Sequence, residues 1–95
     1  MTPHFTVFIT AHCERDLAKL ERGHAELRDV YPRVLAILKS DPSNHSRSHA
    51  IRKLEDVQPG NGQWRLRWGR FRFRYDIEGS SVYLKACSLR REDTY

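Results

Sequence analysis

Hydrophobic and polar residues alternate in several short stretches of the chain, a pattern typical of β-strands that bury one face. The first stretch, residues 4–10 (HFTVFIT), is rich in β-branched and aromatic residues. Three more lie near the carboxyl end, at about residues 63–68, 71–77 and 82–88, and a shorter one lies around residues 51–54. The alternation therefore predicts four or five strands.

After the first strand the hydrophobic spacing changes to three or four residues, the period of an amphipathic helix. We expect Gly23 and Pro32 to divide this region into two helices. Asp29 is expected to cap the second, because proline is tolerated in a first helical turn but not in a helix interior. The polar run SDPSNHS at residues 40–46 should end that helix. The apolar stripe consists of Leu17, Leu20, Leu27, Tyr31, Val34, Leu35 and Leu38.

The order of these elements indicates the fold class. One strand, two helices and then a run of strands is typical of an α+β domain, in which helices pack on one face of a mainly antiparallel sheet. A length of 95 residues suits one domain with a single core, so we expect residues 1–95 to form one domain. The expected architecture is β-α-α-β-β-β, with four or five strands in the sheet.

The stretch WRLRWGRFRFRYDI predicts a β-hairpin. A two-residue turn at positions 69–70 begins with glycine, which suits the first central position of a type II′ turn. This register places Arg67 opposite Arg72 and Arg65 opposite Arg74. Because a slip by one residue would turn the arginines into the core, the register is strongly specified.

A second tight turn is predicted at positions 79–80, and it pairs Arg74 with Lys85 and Arg72 with Cys87. Both turns give the same division of the two sheet faces. The residues expected to face the helices are Trp64, Leu66, Trp68, Phe71, Phe73, Tyr75, Ile77, Val82, Leu84 and Ala86. Those expected on the opposite face are Arg65, Arg67, Arg72, Arg74 and Lys85.

The positive charge is concentrated in the last third of the chain. The formal net charge is +5, and residues 63–95 alone contain eight Lys and Arg against four Asp and Glu. Like charges directly opposite one another on a sheet are destabilising by up to about 1 kcal/mol a pair, and uncharged polar residues would avoid that cost. The arginine pairs therefore indicate a surface that binds an anion, either a nucleic acid or an acidic protein segment.

Other classes of site and location receive no support from the sequence. Cys13 and Cys87 lack metal-ligand spacing and are expected to be free thiols, and His24 is expected at the edge of the core. We therefore expect no metal and no cofactor. No run approaches the roughly 20 apolar residues of a membrane helix. The N-terminus does not have the pattern of a signal peptide, so we expect a cytoplasmic protein without a membrane partner.

Two short motifs give the chain a resemblance to a known family. Residues 69–75 fit a G-x-[FY]-R-x-x-Y strand, and residues 91–95 fit an R-x-[DE]-x-Y tail. Together with the first strand and the helical pair, they resemble the RelE/ParE superfamily, the toxins of type II toxin–antitoxin systems, over essentially the whole chain. The resemblance implies the α+β fold described above and a cognate antitoxin protein as partner.

Toxins of the RelE branch are ribosome-dependent endoribonucleases, so the resemblance implies that this chain cuts mRNA on the ribosome and inhibits translation. In that reaction a ribose 2′-OH attacks the adjacent phosphate and leaves a 2′,3′-cyclic phosphate. Two alternatives stay open. One is a ParE-like inhibitor of DNA gyrase without nuclease activity, and the other is a non-catalytic relic that only binds its antitoxin.

The family's catalytic residues map onto four positions. Arg72 matches the arginine that contacts the scissile phosphate. Arg90, or Arg91 if a one-residue gap is allowed, matches the tail arginine that acts as general acid or stabilises the transition state. Tyr95 matches the tyrosine that stacks on the nucleotide. Arg65 falls where the RelE branch has a lysine, and there it would stabilise negative charge. The resemblance implies an RNA-binding role for Arg67, Arg74, Lys85 and Arg91.

The chain departs from the RelE branch where that branch has two lysines, because Gln63 and Arg65 stand there. Arginine stays protonated at neutral pH, so Arg65 can stabilise charge but cannot take a proton. This departure leaves the general base unassigned and favours the gyrase alternative, whereas the dense basic face and the tail favour the ribonuclease. The remaining proton-transfer candidates are Lys85, Tyr95, His45 and His49.

Overall fold

Five strands form one mixed sheet, and two helices cover one of its faces. The computed structural model describes residues 4–90. The elements are β1 (Thr6–Ile9), α1 (Ala11–Gly23), α2 (Leu27–Ser40), β2 (Ile51–Lys53), β3 (Trp64–Trp68), β4 (Phe71–Glu78) and β5 (Ser81–Leu89). The strand order is β1-β5-β4-β3-β2, with β1 parallel to β5 and all other neighbours antiparallel. The predicted α+β fold is confirmed, and each strand lies within two residues of its predicted position.

The helical region divides in two as predicted, but its second start was placed wrongly. Helix α1 ends at Gly23, whereas α2 begins at Leu27 with Glu26 at its N-cap and no side-chain cap. Asp29 is therefore inside the first turn and not at the cap, and Pro32 lies one turn further into the helix. Pro32 has no N–H to donate to the Arg28 carbonyl, four residues earlier. Because both residues are exposed, water can hydrate that carbonyl instead.

The β3–β4 hairpin has the predicted register. Arg67 lies opposite Arg72, and Arg65 lies opposite Arg74. Gly69, at the first position of the turn, has a φ of 58°, the positive value that a type II′ turn requires there. The arginine pairs therefore lie on the face away from the helices.

The β4–β5 pairing differs from the prediction because β5 contains a β-bulge. Leu84 lies opposite Tyr75 as predicted, but the next pair is Arg74 with Ala86, so that Lys85 is an extra residue on β5. From there on the predicted pairs are wrong by one residue. Ala86 faces away from the helices, and Cys87 lies in the core instead of beside Arg72.

Two side chains from the start of α1 satisfy backbone groups at the bulge. The Thr10 hydroxyl lies 3.2 Å from the carbonyl oxygens of Leu84 and Lys85, to which it can donate. The Asp16 carboxylate accepts a hydrogen bond from the Cys87 N–H at 3.1 Å. The bulge is therefore compatible with a fully hydrogen-bonded backbone at this edge, where β1 has already ended.

The core lies between the helices and the inner sheet face. Cys13 and Cys87 are free thiols, as predicted, and both are buried, so that the pKa of each is raised to about 12. His24 lies at the core edge, as predicted, with its ring edge-on to Phe71 at 5.9 Å. The buried hydrophobic residues are Cys13, Leu27, Val34, Leu38, Leu66, Phe71, Phe73, Tyr75, Val82, Leu84 and Cys87.

Candidate nucleic-acid interface

Five arginines form two rows across the sheet face opposite the helices, and we call this surface the arginine face. One row runs over β2, β3 and β4 as Arg52, Arg65 and Arg74. The second contains Arg67 and Arg72 on β3 and β4. Sequence reasoning predicted four of these residues but missed Arg52, because a three-residue strand does not reveal which strand it pairs with.

The arginine face carries its positive charge without carboxylate partners. Among residues 4–90, no ion pair joins any of the five guanidinium groups to an Asp or Glu. Burial lowers the pKa of the Arg65 guanidinium, and the charges of Arg67, Arg72, Arg52 and Arg74 lower it further. The side chains therefore repel one another, and a bound anion would relieve that repulsion.

Arg65 and Arg72 are the members of the arginine face with unused buried donors. They lie diagonally on the neighbouring strands β3 and β4, and both are half-buried. The Nε atom of each is shielded from solvent and has no hydrogen-bond acceptor. A buried donor without an acceptor is costly, so an oxyanion bound by these two guanidinium groups would be stabilised by them.

Arg74 lies on the arginine face as predicted, but it also binds the loop before β3. Its Nε donates to the Gly62 carbonyl at 2.7 Å, and its Nη2 donates to the Asn61 carbonyl at 3.2 Å. Asp76, on the same strand, accepts hydrogen bonds from backbone N–H groups of this loop. The loop therefore limits the arginine face at this end of β4.

Two other predicted site residues, Lys85 and Arg90, lie beside the arginine face. Lys85 lies at the bulge, with its Nζ 5.8 Å from the ring centroid of Tyr83. Arg90 lies at the β3–β4 turn, where its backbone N–H donates to the Arg70 carbonyl at 2.6 Å and its Nη1 to the Gly69 carbonyl at 3.4 Å. Arg91 and Tyr95 lie outside the described residues.

The structure also places two aromatic residues on this side of the sheet. Phe8 on β1 and Tyr83 on β5 lie directly opposite one another, with ring centroids 5.3 Å apart and an interplanar angle of 18°. Sequence reasoning missed this pair, because the alternation within β1 does not reveal that β1 lies beside β5.

The two histidines considered for proton transfer lie in the segment that connects α2 to β2. His45 and His49 line an open cavity of about 630 Å³ formed by the segment after α2. His49 Nε2 is 3.7 Å from an Asp41 carboxylate oxygen. Pro42, in the same segment, accepts a hydrogen bond from the buried hydroxyl of Tyr75, a residue of the inner sheet face. His49 also lines a smaller cavity together with Arg67, the residue opposite Arg72 on the arginine face.

Two further properties concern the described part of the chain as a whole. Within residues 4–90, no three His, Cys, Asp or Glu side chains cluster in a way that could hold a metal ion. None of the helices in this range is long and apolar enough to cross a membrane.

No protein-family model matches the chain, and no curated protein sequence matches it. A solved structure does match: a chain of the toxin–antitoxin complex RelBE2 from Mycobacterium tuberculosis, with a TM-score of 0.62 and 22% sequence identity. The match covers 95% of each chain. The fold is RelE-like. A RelE-like fold agrees with the resemblance found in the sequence motifs.

Proposed function

We propose that this chain is the toxin of a toxin–antitoxin system and an endoribonuclease that cuts mRNA on the ribosome. The observation that carries the proposal is the pair of buried, unpartnered Nε donors of Arg65 and Arg72 within an otherwise uncompensated arginine face. The RelE-like fold and the sequence motifs support the same activity.

In the proposed reaction the arginine face binds one phosphodiester of single-stranded mRNA. The ribose 2′-oxygen attacks the adjacent phosphorus, the bond to the 5′-oxygen of the next nucleotide breaks, and a 2′,3′-cyclic phosphate remains. Arg65 and Arg72 donate to the non-bridging oxygens, which gain negative charge in the transition state. Two guanidinium groups suit this role because each can make paired hydrogen bonds in a fixed plane.

Proton transfer needs other groups, because arginine remains protonated at neutral pH. A base must take the 2′-OH proton, and an acid must protonate the leaving 5′-oxygen. We assign to the tail arginine, Arg90 or Arg91, the stabilisation of charge on the leaving 5′-oxygen, and to Lys85 and Tyr95 the two proton transfers. Ser88 on β5 lies opposite Arg72. Lys85 is three residues from Ser88 on the same strand, a distance of about 10 Å. Its reach to the phosphate therefore depends on its long side chain.

The proposed partners are a cognate antitoxin protein and mRNA on the ribosome, which places the chain in the cytoplasm. The similar structure is described as a toxin–antitoxin complex, and this supports an antitoxin partner here. An acidic or amphipathic antitoxin segment would complement the arginine face and prevent RNA from binding to it.

The decisive experiment adds the purified chain to a reconstituted translation reaction and maps the mRNA ends. We expect cuts only in ribosome-bound mRNA, with 2′,3′-cyclic phosphate on the upstream fragment. A double variant, Arg65→Ala with Arg72→Ala, controls for contaminating nuclease. Intact mRNA in this assay, combined with inhibition of DNA supercoiling by gyrase, would overturn the proposal in favour of a ParE-like function.

A further inference from the structure

The stacked pair of Phe8 and Tyr83 is not explained by the packing of the core. Phe8 is 48% exposed, and among the described residues no other large hydrophobic side chain is exposed. Its neighbours on β1, Val7 and Ile9, pack against the core, so the strand is anchored without Phe8. A stacked aromatic pair with one exposed and one half-buried ring on the uncovered sheet face indicates a binding role.

The outward-facing residues of β5 connect this pair to the arginine face. Lys85 Nζ lies 5.8 Å from the Tyr83 ring centroid, on the way to the arginines. The next outward residues of β5 are small, with Ala86 opposite Arg74 and Ser88 opposite Arg72. Tyr83 lies opposite Asp76 on the neighbouring strand β4. Asp76 is two residues from Arg74 on that strand, a distance of about 7 Å.

We propose that Phe8 and Tyr83 form a base-stacking subsite for single-stranded RNA, next to the phosphate site of Arg65 and Arg72. This inference rests on the proposed function, since it assumes that RNA lies on the arginine face. A flat aromatic surface with a lysine beside it matches a base and its phosphate. A protein segment of acidic residues alone would bind the cations but would leave the two rings without a matching group.

The test measures binding of a short single-stranded oligoribonucleotide with methylated 2′-oxygens, which the chain cannot cleave. Phe8→Leu and Tyr83→Leu keep apolar bulk but remove the ring surface. We expect each to weaken binding about tenfold, as for the loss of one stacked base. Tyr83→Phe, which keeps the ring, should bind like the original chain. Thr6→Val, an exposed change on the same face of β1, should also have no effect.

A second probe has the same backbone but no bases at the positions flanking its central nucleotide. We expect this probe to bind the original chain about as weakly as the complete probe binds Phe8→Leu, and to show no further loss with that variant. If removal of the bases and removal of the Phe8 ring weaken binding by less than the sum of their separate effects, the loss comes from contact between ring and base. Thermal melting of each variant separates loss of binding from loss of folding.

The outcomes distinguish this subsite from the proposed function. If Arg65→Ala and Arg72→Ala abolish binding while Phe8→Leu and Tyr83→Leu bind normally, the subsite is wrong and the proposed function stands. If the original chain binds neither probe, the subsite is wrong, whereas the proposed function is decided by the cleavage of ribosome-bound mRNA. If the leucine variants lose affinity for the antitoxin but not for the oligonucleotide, the aromatic pair is a protein-docking surface and the subsite is again wrong.

Discussion

Arg74 and Asp76, two residues apart on β4, bind the same loop through opposite chemistry. Arg74 donates to the Gly62 carbonyl at 2.7 Å. The Asp76 carboxylate accepts the N–H groups of Gly60, Gly62 and Gln63 at 3.2, 2.9 and 3.0 Å. Because one residue satisfies carbonyls and the other satisfies N–H groups, the pair fixes the loop that precedes β3 at the edge of the arginine face.

We predict that Asp76→Asn destabilises the fold. An amide presents only one acceptor oxygen, and its NH₂ group would face a backbone N–H. The free energy of unfolding should fall by about 1–3 kcal/mol, as for a buried donor that loses its acceptor. Urea denaturation measures it. Glu78→Gln, an exposed change on the same strand, is the control and should alter stability by less than about 0.5 kcal/mol. Equal losses in the two variants would contradict the role of Asp76.

Replacement of Gly62 by alanine should destabilise the fold more than replacement of Gly60. Both glycines have a positive φ, +79° and +98°, so alanine is strained at either position by about 1–2 kcal/mol. At Gly62 the added Cβ would also lie 3.0 Å from the Cβ of Arg74, whereas nothing lies within 4 Å at Gly60. The difference between the two variants in urea denaturation measures the contact, and identical midpoints would mean that the loop does not approach Arg74.

The sequence predicts the β3–β4 hairpin well, because a two-residue turn beginning with Gly69 allows only one register in which the aromatic residues are buried. It does not predict the bulge at Lys85. The groups that satisfy the backbone there come from Thr10 and Asp16, more than 70 residues earlier in the chain. The local alternation of hydrophobic and polar residues cannot reveal such a contact. For this reason the predicted positions of Ala86 and Cys87 were wrong.

Strand order is the second property that the pattern could not provide. Arg52 joins the arginine face only because β2 pairs with β3, and Phe8 meets Tyr83 only because β1 lies beside β5. Strands β1 and β2 were predicted, but their neighbours in the sheet were not. The parts of the site that depend on a single hairpin were therefore predictable, and the parts that depend on sheet topology were not.

Alkaline pH should destabilise the fold through the two buried thiols. The pKa of Cys13 and of Cys87 is raised from 9.0 to about 12 by burial, so the unfolded chain releases these protons first. The folded state then binds more protons than the unfolded state, and the free energy of unfolding decreases from about pH 9 up to about pH 12. Urea denaturation at pH 8 and at about pH 10 measures the decrease. Cys87→Ala should make it smaller, and an unchanged decrease would contradict this origin.

Binding of single-stranded RNA should weaken steeply with salt. If Arg52, Arg65, Arg67 and Arg72 each neutralise one phosphate, the slope of log affinity against log salt is about −3. Arg52→Ala should reduce the magnitude of the slope by about 0.7. Arg33→Ala, an exposed change on α2, should leave it unchanged. A slope near zero, or one that Arg52→Ala does not alter, would show that RNA does not bind across both rows of the arginine face.

Replacement of Arg72 should reduce cleavage activity without reducing the stability of the fold. Arg72→Ala removes a buried Nε that has no acceptor and relieves repulsion with Arg67, the residue opposite it. The folded state should therefore be unchanged or slightly more stable, whereas mRNA cleavage should fall about 100-fold or more, as for the loss of a main donor to a developing oxyanion. Arg72→Lys should be intermediate, because lysine keeps the charge but not the paired hydrogen bonds. Thermal melting and cleavage assays on the same preparations measure both effects, with Arg33→Ala as the control. A well-folded Arg72→Ala variant with full cleavage activity would remove Arg72 from the phosphate site.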